Sequence, residues 1–197
     1  MGMKVGLMGG TFDPIHIGHL VAAECAAETA ALDEVWFMPT NVPPHKDRAP
    51  GASPEQRLEM VRLATDGHPK FRPSDIELAK GGISYSVETV SLLKRRYPEH
   101  SFYYIIGADM VRYLPKWYKI EELARMVRFI GLNRPGYAPD LSEADELVRQ
   151  AVQLAEMPPI DLSSTCIRSR SASGLSIRYL VPDRVREYIE VNRIYET

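Results

Sequence analysis

Cysteine is scarce in this chain: two in 197 residues, Cys25 and Cys166, in unrelated contexts. They offer neither a metal-ligand spacing nor a disulfide framework, so both are expected to be ordinary thiols of a reducing cytoplasm. An excess of one charge is also missing. The formal net charge is -2, from 24 basic and 26 acidic residues. That excludes the global basic field expected of a nucleic-acid partner, and anionic substrates must be held by local groups. No uninterrupted apolar run reaches membrane-spanning length, because Glu24 and Glu28 break the alanine-rich stretch. A strand beginning by Lys4 leaves no room for a signal peptide ahead of it. No repeat or low-complexity segment appears. The expectation is a soluble cytoplasmic protein, without nucleic-acid or membrane partners and compatible with a homo-oligomer.

What the chain does have is alternation. Runs of strand length occur at Lys4–Gly9, Glu34–Pro39, Phe71–Ile76, Phe102–Gly107, Val127–Asn133 and Pro159–Leu162. Helical patterns lie between them at Ile17–Ala31, Pro54–Asp66, Ser84–Tyr97, Ile120–Met126 and Ser142–Glu156. This predicts a doubly wound, mostly parallel α/β sheet in a single domain over 1–197, with a helical part from about 163 onward. Ser53 followed by Pro54 and Glu55 reads as a helix start. Ser86 could likewise cap the helix it opens. The stretch Asn41–Gly51, rich in proline and basic residues, reads as a substrate-side loop.

The most informative segment is Gly9-Gly10-Thr11-Phe12-Asp13-Pro14-Ile15-His16-Ile17-Gly18-His19. It joins the first strand to the first helix, where glycines and helix amides make a natural anion site. His16 and His19, three apart, are expected on one helical face, able to donate hydrogen bonds to phosphate oxygens. A zinc pair is poorly supported, since neither cysteine lies near enough to complete a ligand set. The turn is neither a dinucleotide fingerprint nor a P-loop: it has no third glycine at that spacing and no Lys-Ser/Thr ending. Ligands of open parallel sheets bind beyond the carboxyl ends of the strands. Those ends carry Thr11, Asn41, Asp109, Arg134 and Ser163-Ser164-Thr165, all polar or charged.

Gly9 to His19 resembles the GGxFDPxHxGH signature of the nucleotidylyltransferase superfamily, and Ser163-Ser164-Thr165-Cys166-Ile167-Arg168 resembles its second signature, SSTxIR. The resemblance implies a Rossmann-like domain. ATP would be bound by Gly9, Gly10, Thr11, Phe12, His16, Gly18 and His19, by Gly107 and Asp109, and by Ser164, Thr165, Ile167 and Arg168. Five further segments are similar to one branch of that superfamily, the bacterial nicotinate mononucleotide adenylyltransferases. They are Pro43 to Lys46, Ile83 to Thr89, Ile106 to Asp109, Leu114 to Lys119 and Ser176 to Pro182.

Within that branch the mononucleotide would meet Thr11, Asn41, His45, Lys46, Tyr85, Ser86, Asp109, Trp117, Tyr118 and Arg134. Trp117 would stack on the pyridine ring, with the Trp117 and Tyr118 amides and the Ser86 hydroxyl on its carboxylate. Ser86 stands where relatives usually have Thr. Asp109 would hold ribose hydroxyls. The resemblance makes His16, His19, Lys46 and Arg168 the catalytic set, and Mg2+ would travel with ATP without protein ligands. Other readings are another acceptor, such as nicotinamide mononucleotide or phosphopantetheine, and a nucleotide sensor without catalysis.

Overall fold

A computed structural model of the chain describes residues 2–42, 50–133, 141–142 and 144–196. β1 (Lys4–Gly10) leads into α1 (Ile17–Thr29), β2 (Glu34–Pro39), α2 (Pro54–Thr65), β3 (Phe71–Pro73) and α3 (Ile76–Lys80). Then come α4 (Ser86–Arg96), β4 (Ser101–Gly107), α5 (Ala108–Val111), a 3-10 turn at Leu114–Lys116, α6 (Ile120–Met126) and β5 (Val127–Asn133). α7 (Glu146–Ala151), β6 (Val152–Glu156), α8 (Ser164–Ala172) and α9 (Asp183–Val191) complete the order.

The strands hydrogen-bond in the order β3-β2-β1-β4-β5-β6. Lys4 stands opposite Ser101, Phe102 opposite Val127, and Phe129 opposite Val152, each pair of strands parallel. This is the Rossmann-like, doubly wound order, which reverses direction at β1. β1, β4 and β5 are buried along most of their length, as strands covered on both faces must be. α1 buries only alanines, Ala22, Ala23, Ala26 and Ala27, which allows its backbone to approach the sheet closely. α2 starts as predicted: Ser53 Oγ accepts from the Gln56 amide while Gln56 returns a bond to the Ser53 amide.

One strand lies elsewhere than predicted. Helix was expected over Ser142–Glu156 and the last strand at Pro159–Leu162; instead a short α7 gives way to β6, and 157–163 has no regular structure. Leu154, Ala155 and Glu156 suit a helix locally, but pairing along Phe129–Asn133 overrides that preference. Pro158 and Pro159 have no amide to offer a ladder. β3 ends at Pro73 rather than at Ile76, because Ile76 starts α3.

By its internal contacts the chain divides into two compact units. The first comprises Met1–Met8, Ala22–Trp36 and Ser84–Pro159; the second comprises Gly9–Val21, Phe37–Ile83 and Ile160–Thr197. Among the described residues no helix is long and apolar enough to cross a membrane.

Candidate active site

In the second unit, the turn after β1 is built on close packing. A Cβ at Gly10 would lie 2.9 Å from the Phe12 ring, so glycine lets Phe12 fold beneath it. Phe12 has a left-handed backbone, φ 50°. Its buried ring meets His19 edge-on at 5.1 Å and Phe37 at 6.0 Å. Its side chain therefore braces His19, and only its main chain could serve a nucleotide.

His16 lies just ahead of α1 rather than on it, yet the two imidazoles do converge. Their rings stack at 3.7 Å, and the His16 amide donates to His19 Nδ1 at 3.2 Å. With Nδ1 accepting, a neutral His19 carries its proton on Nε2, as a phosphate donor requires. His16 is only 6% exposed, and burial lowers its pKa from 6.5 to about 4, so it is neutral at pH 7. Its Nδ1 has no partner among the described residues. A Cβ at Gly18 would press on this imidazole at 3.1 Å, which accounts for glycine between the histidines.

The second signature reaches the same turn. Ser163 Oγ caps α8 by accepting from the Cys166 amide at 3.2 Å, and Ser164 Oγ donates to the Pro14 carbonyl at 2.9 Å. Ile167 is fully buried, so its side chain belongs to the core. Arg168 donates to the Asp13 carbonyl at 2.7 Å and to Thr165 Oγ1 at 3.2 Å, and its guanidinium stands 3.7 Å from the Asp13 carboxylate. The Arg168 side chain stays 33% exposed. A merely solvated arginine would be tied to nothing; this one is fixed at its base and still reaches solvent.

Three residues of this region escape a reading of the sequence. Asp13, 4% exposed, accepts from the Gly51 amide at 2.9 Å, the Ala52 amide at 3.0 Å and the Tyr195 hydroxyl at 2.7 Å. With its oxygens so occupied, it is an organising anion rather than a base. Arg57, fully buried on α2, donates to the carbonyls of Thr11 and Thr40, both at 2.8 Å, pinning the ends of β1 and β2. Burial lowers its pKa, against the opposing pull of Asp13. Its spacing from buried Met60 and Val61 puts an arginine on the apolar face of α2, a signal visible in the sequence. Burial and the neighbouring Asp13 carboxylate both raise the pKa of the third residue, Tyr195. Asn41 Nδ2, also in this unit, donates to the Gly82 carbonyl at 3.0 Å.

The first unit holds an aromatic group. Tyr85, not Ser86, occupies the cap position of α4. Ser86 Oγ instead donates to the Tyr104 hydroxyl at 3.0 Å, so the capping role falls away. The Trp117 ring stands edge-on to Tyr104 at 5.7 Å and to Phe129 at 6.3 Å. Its indole N–H is buried without a partner among the described residues. Tyr85 and Tyr118 approach at 4.8 Å, with Tyr118 half exposed. The Trp117 amide donates to the Leu114 carbonyl at 2.9 Å, which closes the 3-10 turn. Of the two amides predicted for a carboxylate, that leaves Tyr118's. Gly107 ends β4 with nothing near its absent Cβ.

His45, Lys46 and Arg134 lie outside the described residues, as does the Asp109 side chain. Among the described residues no group of three or more His, Cys, Asp or Glu side chains could hold a metal ion.

The second unit thus offers imidazole and guanidinium donors together with helix amides, the chemistry of phosphate recognition. The first offers aromatic faces beside hydroxyls, the chemistry of a flat polar ring. Residues 7–170 match the model of the family described as cytidylyltransferase-like. The chain is 44% identical over 194 residues to "Nicotinate-nucleotide adenylyltransferase" of Bacillus subtilis (strain 168), covering 98% of this chain and 99% of that protein. It is 45% identical over 192 residues to "Probable nicotinate-nucleotide adenylyltransferase" of Oceanobacillus iheyensis, covering 98% and 96%. Its fold is similar to "Plasmodium falciparum nicotinic acid mononucleotide adenylyltransferase complexed with NaAD", with a TM-score of 0.78, 18% identity, and coverage of 98% and 97%. The chain belongs to the cytidylyltransferase-like family and, within it, to the nicotinate-nucleotide adenylyltransferases.

Proposed function

We propose that this protein transfers the adenylyl group of ATP to the 5′-phosphate of nicotinate mononucleotide, forming nicotinate adenine dinucleotide and pyrophosphate in cytoplasmic NAD biosynthesis. The acceptor phosphate is already an anion at pH 7 and needs no general base. One of its oxygens forms the new bond to the α-phosphorus as the bond to the β-phosphate oxygen breaks. The obstacle is bringing two polyanions into line. Positioning supplies about 7–11 kcal/mol of such a barrier. Preorganised donors aimed at the developing charge supply more.

The observation that carries this reading is the tie between the two signatures. Arg168 is bonded to Asp13 across 155 positions, in the turn that holds the stacked His16–His19 pair. His19 Nε2–H donates to the α-phosphoryl group in the transition state, and neutral His16 backs it. Gly9, Gly10, Gly18 and the backbone of Thr11 and Phe12 let the nucleotide approach. Thr165 and the first amides of α8, with Arg168, take the triphosphate; the exposed part of Arg168 steadies the departing pyrophosphate. Magnesium would be carried in by ATP without protein ligands and would offset the charge of its phosphates. Asp109 and Gly107 serve the ribose; Asn41, His45, Lys46 and Arg134 serve the acceptor phosphate. Trp117 presents its face to the pyridine ring, with Tyr85, Ser86 and Tyr118 at its carboxylate. We read residues 1–197 as one nucleotidylyltransferase domain.

The test is pyrophosphate release from ATP and magnesium with and without nicotinate mononucleotide, with the product identified by mass. Release that depends on the acceptor and yields nicotinate adenine dinucleotide supports the reading. ATP binding without release would make the protein a sensor.

A further inference from the structure

The carboxy-terminal segment carries a tyrosine that the proposed reaction does not use. We propose that Tyr195 is a positioning residue, acting through the Asp13 carboxylate to set Arg168 for ATP; this rests on the reading of Arg168 as the triphosphate ligand.

Four groups from three segments converge on one buried carboxylate. Asp13 Oδ1 takes the Tyr195 hydroxyl at 2.7 Å and the Ala52 amide at 3.0 Å. Oδ2 takes the Gly51 amide at 2.9 Å and faces the Arg168 guanidinium at 3.7 Å. Short hydrogen bonds to an ionised acceptor are the strong ones. Losing the hydroxyl leaves that oxygen under-satisfied in a buried place, and the carboxylate then turns toward its remaining donors. The nearest cation it can turn toward is Arg168, so the geometry of the guanidinium depends on the phenol.

Two further observations mark this as a held arrangement rather than a frayed end. Arg193 and Tyr195 both have left-handed backbones, φ 50° and 73°, a conformation non-glycine residues keep only where contacts impose it. Ile194 between them is buried. The tyrosine ring also lies directly on Gly51, where a Cβ would sit 3.2 Å from two of its atoms. One phenol thus joins the end of the chain, the residues leading into α2, and the arginine of the second signature. Arg57, fully buried, faces the same cluster and adds a second cation beside the one carboxylate. The cluster's formal charge is therefore positive, two guanidinium groups against one carboxylate, and suited to an approaching polyphosphate.

The test compares steady-state kinetics of wild type, Tyr195→Phe, Arg168→Ala and the double variant, with melting temperatures for each. Tyr195→Phe keeps the ring on Gly51 and removes only the hydroxyl. Its KM for ATP is expected to rise about two- to fivefold, a fraction of the roughly tenfold loss from Arg168→Ala because the phenol acts through that guanidinium, with the KM for nicotinate mononucleotide unchanged. In the Arg168→Ala background the same substitution adds little, because it acts through the missing guanidinium. Equal effects of Tyr195→Phe in both backgrounds, or a loss shared by both substrates with a lowered melting temperature, would overturn the proposal and leave the reading of Arg168 intact. An unchanged KM for ATP in Arg168→Ala would overturn that reading, and the proposal with it.

Discussion

The region proposed to face phosphate and the region proposed to face the pyridine are made in opposite ways. Around Gly9–His19 and Ser163–Arg168, polar groups are held by other protein groups, often far away in sequence: Ser164 by Pro14, Arg168 by Asp13, Thr11 by Arg57. Around Trp117 and Tyr118 the partners are rings, and the fixing contacts are edges and faces. The difference follows from what each must meet. A donor to developing charge works only if it is already oriented, since reorganisation would consume the advantage. A ring needs an exposed face and a few polar atoms at one end, which aromatic side chains supply with little loss of entropy.

That contrast can be broken by substitution. The largest effect is expected from His19→Ala, which should lower kcat by about 10² or more, the usual cost of one preorganised donor, with circular dichroism unchanged. Activity within about threefold of wild type would show that the stacked pair only fills space, since loss of a transition-state donor is never so slight. Trp117→Ala should raise the KM for nicotinate mononucleotide roughly fivefold to more than hundredfold, by analogy with ~1–3 kcal/mol for a base stacked on an aromatic ring. Because Tyr104 and Phe129 brace the indole, the alanine variant will also melt earlier. The deciding quantity is the ratio of the two KM values, and Trp117→Phe should restore part of it. Arg168→Ala should act on the other substrate, raising the KM for ATP about tenfold, as for a lost charged hydrogen bond. Were either variant to weaken both substrates equally, the division of labour would fail.

The smallest effect concerns stability. His16 in the fold has a pKa of about 4, below its ordinary 6.5. Between those values the unfolded chain binds the extra proton, so stability rises with pH through this window. It is full above pH 6.5 and is lost as the pH falls toward 4. Melting temperature followed over this range should fall more steeply for wild type than for His16→Asn. Parallel curves would mean that the buried imidazole is not the group responsible.

Much of this was legible in the sequence because it is local. Alternating apolar runs revealed five of the six strands among the described residues, and the glycine-histidine turn marked the strand-to-helix junction proposed as an anion site. β6 was hidden because its residues suit a helix, and only its neighbour Phe129–Asn133 makes it a strand. The short α3, α5 and the 3-10 turn lack the length for a period to show. The Asp13 cluster was invisible for a different reason. Gly51 and Tyr195 are unremarkable residues where they stand, Arg168 is marked only as part of its own signature, and only tertiary structure brings the three to one carboxylate. Sequence pointed to the groups proposed to touch substrate, and to the groups that hold them only through Arg57 on the apolar face of α2.

The claim on which everything turns is that the aromatic region selects a pyridine carrying a carboxylate. It is tested most directly by kcat/KM for nicotinate mononucleotide against nicotinamide mononucleotide and phosphopantetheine, each with saturating ATP and magnesium. A strong preference for the acid is expected, which Ser86→Ala diminishes without altering the KM for ATP. Equal or better turnover of the amide, or of phosphopantetheine, would contradict it.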